Sequence, residues 1–288
     1  MPSLWRVVTA ARDGLALVLI GSAAIVVFGV FGALLFDVVS SGLPRLSPEF
    51  VTDSPSDFGR LGGIGPILVS TAMILGVCFS VALPVGLGCA IWLSEYEAEE
   101  GGLIRLVRRS LDVLAGLPSI VFGLFGYAFF CQGLGLGFSI LSGGLTLSCM
   151  VLPILVRSVE VALRAVPDDL RAAATALGFS KTATIRQLIL PAALPGVLVG
   201  VILGIGRALA ETAALLFTSG YVTRMPSSVS DSGRALSVHV YDLAMNVPGG
   251  DGAAYASAFV LLVLLIAMNT VATGLVQHWQ RRKGWTVS

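Results

Sequence analysis

The sequence predicts an all-α membrane protein with six transmembrane helices. Of its 288 residues, 56% are hydrophobic and 12% are charged, and the mean hydropathy is +0.91. The charged fraction is about half of that found in soluble domains. Apolar runs long enough to cross a bilayer recur along the chain, separated by charged or Gly- and Pro-rich stretches.

The first predicted span covers residues 14–36 and is ended by Asp37. Arg6 and Arg12 precede this run, and about 23 apolar residues are too many for the core of a signal peptide. We therefore expect an uncleaved first span. Residues 37–63 are rich in Pro, Ser and Asp, which predicts an aqueous loop.

Two long uncharged runs predict the next three spans. Residues 61–94 predict one span at about 67–93 after a Gly-rich entry turn. Residues 113–156 would extend for about 66 Å as a helix, twice the hydrocarbon layer, so they predict two spans joined by the Gly-rich turn 132–137. The charged stretch between the two runs predicts a solvated loop, because nothing in it fixes ligand geometry for a cation. Its acidic run consists of Glu95, Glu97, Glu99 and Glu100.

The last two spans are predicted at 188–217 and 253–276, on either side of a polar loop at 221–252. Gly196, Gly200, Gly204 and Gly206 predict close helix packing on the fifth span. An even number of spans places both termini on the same side of the membrane.

Lys and Arg are distributed unevenly between the two sides. One side holds only Arg45, Arg60, Arg207, Arg224 and Arg234. The other thirteen lie beside the termini, in the loop at 95–112 and in the segment 157–187. The positive-inside rule makes that second side, and both termini, cytoplasmic.

Residues 166–195 form a charged, Ala-rich segment between two apolar runs. Pro167 and two Asp residues predict the start of a short helix. Leu170, Ala173, Ala174 and Leu177 recur at helical spacing. Gly178 predicts the end of that helix, and Ser180 predicts the cap of a second short helix ending before Pro191 and Pro195.

The same segment resembles the cytoplasmic loop by which permeases of ABC importers dock on their ATPase. The resemblance rests on Leu170–Ala174, on Leu177 and Gly178, and on Leu190 and Pro191, with Ala172 where the family usually has Glu. It implies the type I ABC-importer permease fold. It also implies ATPase-docking residues, namely Asp169, Arg171, Ala172, Ala173, Gly178, Phe179, Ser180 and Lys181.

Arg207 and Glu211 continue directly from the fifth apolar run, and their i, i+4 spacing places them on one helix face. Charges at membrane depth are expensive and usually face a cavity or a partner. Two interpretations remain open. The pair is a neutralised structural lock with Arg207 reaching the outer interface, or Arg207 offers its forked donors to an oxyanion while Glu211 orients it.

Four further stretches resemble phosphate permeases of the PstA type. The stretch 211–218 is similar to E-T-A-P-L-L-F-T, with Ala214 in place of Pro, and the stretch 116–125 is similar to G-x-P-S-I-V-x-G-L-F. The stretches 141–147 and 163–167 also fit, and the likeness covers about residues 60–276.

This second resemblance implies that the chain is a phosphate-importing permease in a bacterial cytoplasmic (inner) membrane. The implied partners are a second permease subunit of PstC type in a heterodimer, two ATPase subunits of PstB type and an external phosphate-binding protein of PstS type. It implies a substrate path at Arg207, Glu211, Thr212 and Ser119, with Pro118 as a bend, and no interaction with nucleic acid.

The implied division of the chain is an N-terminal part at 1–60, the permease domain at 61–280 with the docking loop at about 157–187, and a cytoplasmic tail at 281–288. The alternatives are a permease for sulfate, molybdate or phosphonate, and a channel or scaffold that works without ATP.

The chain is not expected to be an enzyme. Its two lysines, Lys181 and Lys283, do not follow Gly, so the sequence contains no G-x-x-x-x-G-K-[ST] phosphate loop. ATP and Mg would be used by a partner subunit. The spans contain no constellation typical of an intramembrane enzyme, and the isolated Cys and His residues predict no metal site and no bound cofactor.

Overall fold

The computed structural model describes residues 2–96 and 101–283. These residues form twelve α-helices, three π-helical turns, two 3-10 turns and one two-stranded hairpin. The helices are α1 (Pro2–Gly42), α2 (Pro48–Thr52), α3 (Gly65–Ile91), α4 (Gly102–Gly116), α5 (Ser119–Gly126), α6 (Ile140–Arg164), α7 (Asp168–Ala176), α8 (Lys181–Thr184), α9 (Leu190–Leu209), α10 (Ala213–Leu216), α11 (Leu236–Met245) and α12 (Asp251–Lys283). The π turns are Trp92–Tyr96, Tyr127–Gly133 and Ile185–Ile189, and the 3-10 turns are Leu43–Arg45 and Asp57–Gly59. The strands β1 (Pro55–Ser56) and β2 (Leu61–Gly62) pair antiparallel, with Pro55 opposite Gly62.

Five helical segments of the described chain are long and apolar enough to cross a membrane, and the number is six if one bent pair of helices is counted as a span. This confirms the predicted all-α membrane fold. Pro191 and Pro195 do not interrupt the fifth segment, because Lys181–Leu209 is one continuous helix. The π turn Ile185–Ile189 precedes Pro191, and a wider turn there accommodates the missing N–H donor. The prediction that the second docking helix ends before Pro191 was therefore wrong.

The third span differs most from the prediction. Residues 102–116 form the amphipathic helix α4 rather than a loop, and it meets the segment Ser119–Gly133 at an angle of 104°. Leu117 is extended, as a residue before proline prefers, and Pro118 begins the bend. The segment Ser119–Gly133 is at most about 22 Å long, shorter than a hydrocarbon layer of about 30 Å. The predicted Gly-rich turn follows it and is confirmed, with positive φ at Gly135 and Gly137.

Helix α1 extends beyond its predicted end. Asp37 does not end it, because its carboxylate accepts a hydrogen bond of 2.8 Å from the Tyr255 hydroxyl on α12. Side chains along its middle are exposed within the chain, Leu17 by 74% and Phe36 by 73%. An apolar helix of this kind suits contact with lipid. The predicted loop 37–63 contains short helices and the hairpin, and the predicted loop 221–252 contains the half-buried helix α11.

The core consists of α3, α6 and α9, which pack against one another in two apolar clusters. Close packing by glycine is confirmed at three of the four predicted positions. A Cβ at Gly196, Gly200 or Gly204 would come within 2.5–2.9 Å of side chains on α6. At Gly206 a Cβ would meet no described atom within 4 Å.

Candidate functional site

The Arg207–Glu211 pair lies where the fifth span breaks. Arg207 is in the last turn of α9, which ends at Leu209, whereas Glu211 lies beyond the helix end. Their side chains still meet, with 3.7 Å between Arg207 Nη2 and Glu211 Oε2. The expected pairing is thus confirmed, but the expected continuation of the helix to residue 217 was wrong.

Glu211 bonds to backbone and side-chain groups on the far side of this break. Its Oε1 accepts a hydrogen bond of 3.1 Å from the backbone N–H of Ala214, at the start of α10. Its backbone oxygen accepts a hydrogen bond of 2.6 Å from the Ser237 hydroxyl. A side chain that bonds nearby backbone groups competes with the helical ladder, so the chain turns here.

The two charges differ in exposure. The side chain of Glu211 is only 4% exposed, whereas that of Arg207 is 47% exposed. Arg207 Nη2 also lies 4.0 Å from the sulfur of Met150 on α6. The carboxylate is therefore held inside the fold, and the guanidinium retains donors that face outward.

The two sequence stretches that resemble phosphate permeases pack together at this break. A Cβ at Gly123 on α5 would lie 3.0 Å from Ala214 Cα and 3.2 Å from Ala213 O. Ser119 lies one turn earlier on the same helix face. Within the described residues its hydroxyl makes no hydrogen bond, and Thr212 is half-buried at the start of α10.

Helices α7 and α8 form the predicted pair in residues 166–195, and they are called the docking helices below. Gly178 has φ +77°, its N–H bonds Thr175 O, and the N–H of Phe179 bonds Ala174 O, which together make a Schellman motif. Ser180 caps α8 by accepting a hydrogen bond from Ala183 N–H at 3.3 Å. Both predicted features of this turn are confirmed.

The docking helices divide between an inner and an outer face. Leu170 packs on the apolar cluster beneath α7, and Ala174 is buried. Ala173 and Leu177, which share the predicted helical spacing with them, are exposed, Leu177 by 76%. The outer face comprises Asp169, Ala172, Ala173, Leu177, Phe179, Ser180 and Lys181.

Arg171 points inward rather than away from the docking segment. It forms a bidentate pair with Glu95, at 2.7 Å from Nη2 to Oε1 and 3.3 Å from Nε to Oε2. It also donates to Leu163 O at 3.0 Å and to Val166 O at 2.7 Å. Its hydrogen bonds to Glu95 are the main cause of the raised pKa of Arg171.

The expectation of a solvated loop was wrong for Glu95, whose side chain is 6% exposed. Glu97, Glu99 and Glu100 lie outside the described residues. The partner of Glu95 is 76 residues away, so no local signal in the sequence could have revealed the pair.

A second buried carboxylate, Glu160 on α6, escaped the sequence analysis. Glu160 Oε1 lies 2.8 Å from Arg108 Nη2 and 3.2 Å from Arg164 Nε, and Oε2 lies 3.7 Å from Arg157 Nη1. Arg157 and Arg164 flank Glu160 at i−3 and i+4, and this helical spacing is a signal that could have found the cluster.

A polar cluster under α11 was also missed. Arg234 pairs with Asp242 at 2.9 Å and lies 3.4 Å from His239 Nδ1. Burial and, to a lesser extent, the neighbouring Arg234 together lower the pKa of His239 to about 4. Burial also lowers the pKa of Arg234. These groups hold the segment between the fifth and sixth spans.

Comparison with known proteins assigns this architecture. Residues 82–284 match the family described as the binding-protein-dependent transport system inner membrane component. The chain belongs to this family. It is therefore a multi-pass membrane permease whose transport system, by the family's description, depends on a binding protein.

Relatives of this permease carry transport names. The "Probable ABC transporter permease protein YqgI" of Bacillus subtilis (strain 168) is 31% identical over 275 residues, which cover 90% of this chain and 93% of that protein. The "Phosphate transport system permease protein PstA 1" of Mycobacterium tuberculosis (strain ATCC 25618 / H37Rv) is 34% identical over 223 residues, covering 77% and 72%.

Solved structures show the fold of this permease. A chain of a bacterial ABC transporter for alginate, solved with an alginate pentasaccharide-bound periplasmic protein, aligns with TM-score 0.66 at 14% identity over 97% of both chains. A chain of the inward-facing MetNI methionine transporter aligns with TM-score 0.59 at 19% identity, covering 75% of this chain and 94% of that one. The chain thus has the type I ABC-importer permease fold.

Proposed function

We propose that this chain is the permease subunit of an ATP-driven importer of inorganic phosphate. The relatives named as phosphate permeases support the choice of substrate. The proposed complex contains a second permease of PstC type, two ATPases of PstB type and an external binding protein of PstS type. The proposed complex lies in the bacterial inner membrane.

The exposure of Arg207 beside the buried Glu211 carries the proposal. An anion crossing a membrane needs donors that replace its water, and a guanidinium supplies several in a fork. Glu211 would repel an anion if it were free, but it bonds Ala214 N–H and lies inside the fold. The pair therefore offers an outward positive group while its carboxylate orients that group from behind.

Ser119 and Thr212 complete the proposed substrate path. Both carry hydroxyls on half-buried positions of the two stretches that meet at the break. A hydroxyl can donate to a phosphate oxygen and accept from a protonated one. The mechanism we propose is alternating access, with the spans moving around this break.

The outer face of α7 and α8 is the proposed ATPase-docking surface. It combines small residues that permit close approach, Ala172 and Ala173, with the apolar Leu177 and Phe179 and the charged Asp169 and Lys181. The distribution of Lys and Arg supports a cytoplasmic position for this face and for both termini. ATP and Mg belong to the partner in this proposal, since neither lysine of the chain follows a glycine.

The test is phosphate uptake by the purified complex in proteoliposomes, with ATP inside the compartment that holds the ATPases. We expect uptake that requires ATP and the binding protein and that persists with excess sulfate. Inhibition by sulfate would replace phosphate by a broader class of oxyanions. Uptake without ATP would instead indicate a channel.

A further inference from the structure

The turn Trp92–Tyr96, at the end of α3, contacts both docking helices. Glu95 pairs with Arg171 on α7. Tyr96 lies under Lys181 on α8, with the ammonium 4.8 Å from the ring centroid. A π turn in place of a regular helical end is a common feature of functional sites.

The same turn is anchored to the fold beneath the docking helices. Leu93 is fully buried in an apolar cluster that includes Val166 and Ile189 from the two sides of the docking segment. Its backbone oxygen accepts a hydrogen bond of 3.3 Å from Arg164. Displacement of α7 therefore cannot leave this end of α3 in place without breaking the Glu95–Arg171 ion pair, and displacement of α8 would break the contact of Lys181 with Tyr96.

The opposite end of α3 contacts α11, which in turn contacts the Arg207–Glu211 pair. The hydroxyl of Thr71 accepts a hydrogen bond of 2.9 Å from the N–H of Leu236. The next residue, Ser237, donates its hydroxyl to the backbone oxygen of Glu211 at 2.6 Å. Glu211 in turn contacts Arg207.

We propose that α3 couples the docking helices to the Arg207–Glu211 pair, with Glu95 and Thr71 as positioning residues at its two ends. The two residues are about 36 Å apart along a helix, which is close to the thickness of the membrane. The helix packs along α6 between these ends. A displacement of α7 thus reaches the backbone of Glu211 through three named contacts, and it reaches Arg207 through a fourth.

This inference rests on the proposed function, because it assumes that an ATPase docks on α7 and α8. The test measures the coupling itself. The readout is the factor by which loaded binding protein stimulates ATP hydrolysis by the whole complex in nanodiscs. This factor reports a signal that crosses the membrane, whichever oxyanion is transported.

The variants are Glu95→Gln and Thr71→Val, which act at opposite ends of α3. We expect each to retain the ATPase subunits and basal hydrolysis, while the stimulation factor falls about tenfold, within the range usual for coupling between sites. The stimulation factor of the double variant should be no lower than that of either single variant, because both substitutions interrupt the same path. Glu95→Asp should recover part of the stimulation.

Matched controls separate coupling from loss of stability. Thr146→Val removes a buried hydroxyl that bonds only Ser142 O within its own helix. Asp112→Asn removes an exposed carboxylate on α4. Both should keep normal stimulation.

Normal stimulation in Glu95→Gln would overturn the proposal, and so would loss of the ATPase subunits, which would make Glu95 a docking contact. The unmodified complex could take up no phosphate while its ATP hydrolysis is still stimulated normally by loaded binding protein. In that case the proposed substrate is wrong, but the stimulation factor still decides the role of α3.

Discussion

Glu160→Gln should destabilise the half of the helix bundle that lies beside α7 and α8. Glu160 is only 4% exposed and bonds Arg108 at 2.8 Å and Arg164 at 3.2 Å. A hydrogen bond to a charged group contributes about 1.5–3 kcal/mol. Both bonds reach Oε1, so the carbonyl oxygen of Gln keeps both acceptor positions, but the negative charge is lost and the amide group faces Arg157.

The arginines reduce this cost because they are partly exposed, Arg108 by 27% and Arg164 by 36%, and can regain water. We therefore expect a loss of about 2 kcal/mol, below the 3–5 kcal/mol typical of a fully buried pair. Equilibrium unfolding in mixed micelles, followed by tryptophan fluorescence, measures it. The exposed Glu49→Gln is the control and should leave the transition unchanged. A loss under about 0.5 kcal/mol would refute the assignment of Glu160 as a stabilising centre.

Three further predictions concern packing, the docking turn and pH. Gly200→Leu should lower the stability of the fold by about 1–3 kcal/mol, because even a Cβ at this position of α9 would lie 2.8 Å from Ser158 Cβ on α6. Gly206→Leu is the control, since a Cβ there meets no described atom within 4 Å. Equal unfolding midpoints for the two variants would contradict the close packing at Gly200. Gly178→Ala should lose about 1 kcal/mol at its φ of +77° and reduce co-purification of the ATPase, whereas full retention would show that the turn tolerates the change. His239 is held neutral with a lowered pKa of about 4, so its contribution to stability is complete above the unfolded pKa of about 6.5 and is lost as pH falls toward 4. His239→Gln should therefore flatten the pH dependence of unfolding in that window, and an unchanged dependence would contradict the burial of a neutral ring.

The spans could be predicted because the membrane imposes long apolar runs on the sequence. The docking turn could be predicted because its signals are local, a capping Ser180 and a Gly178 with positive φ. Helix α4 was missed because its arginines were read as a loop, although their spacing places them on one face of an amphipathic helix. Helix α11 was missed because its polar flanks concealed a short apolar stretch.

The candidate site was only half predictable. The i, i+4 spacing predicts that Arg207 and Glu211 are in contact. It does not predict the helix break between them or the hydrogen bond from Ala214 N–H to Glu211 at that break. The exposure of one partner and burial of the other depend on packing by α5 and α6, which spacing does not encode. Pairs such as Glu95 with Arg171 form only when distant segments meet.

In the proposed substrate path, Arg207 faces the transported anion. The decisive measurement is the concentration dependence of ATP-driven phosphate uptake by complexes carrying Arg207→Ala or Arg207→Lys, with the exposed Arg109→Ala on α4 as the control. We predict normal uptake for the control, a loss of at least about tenfold for Arg207→Ala, and partial retention for Arg207→Lys, which keeps the charge but not the fork. Unchanged uptake by Arg207→Ala would contradict the account and leave Arg207 and Glu211 as a structural pair at the end of α9.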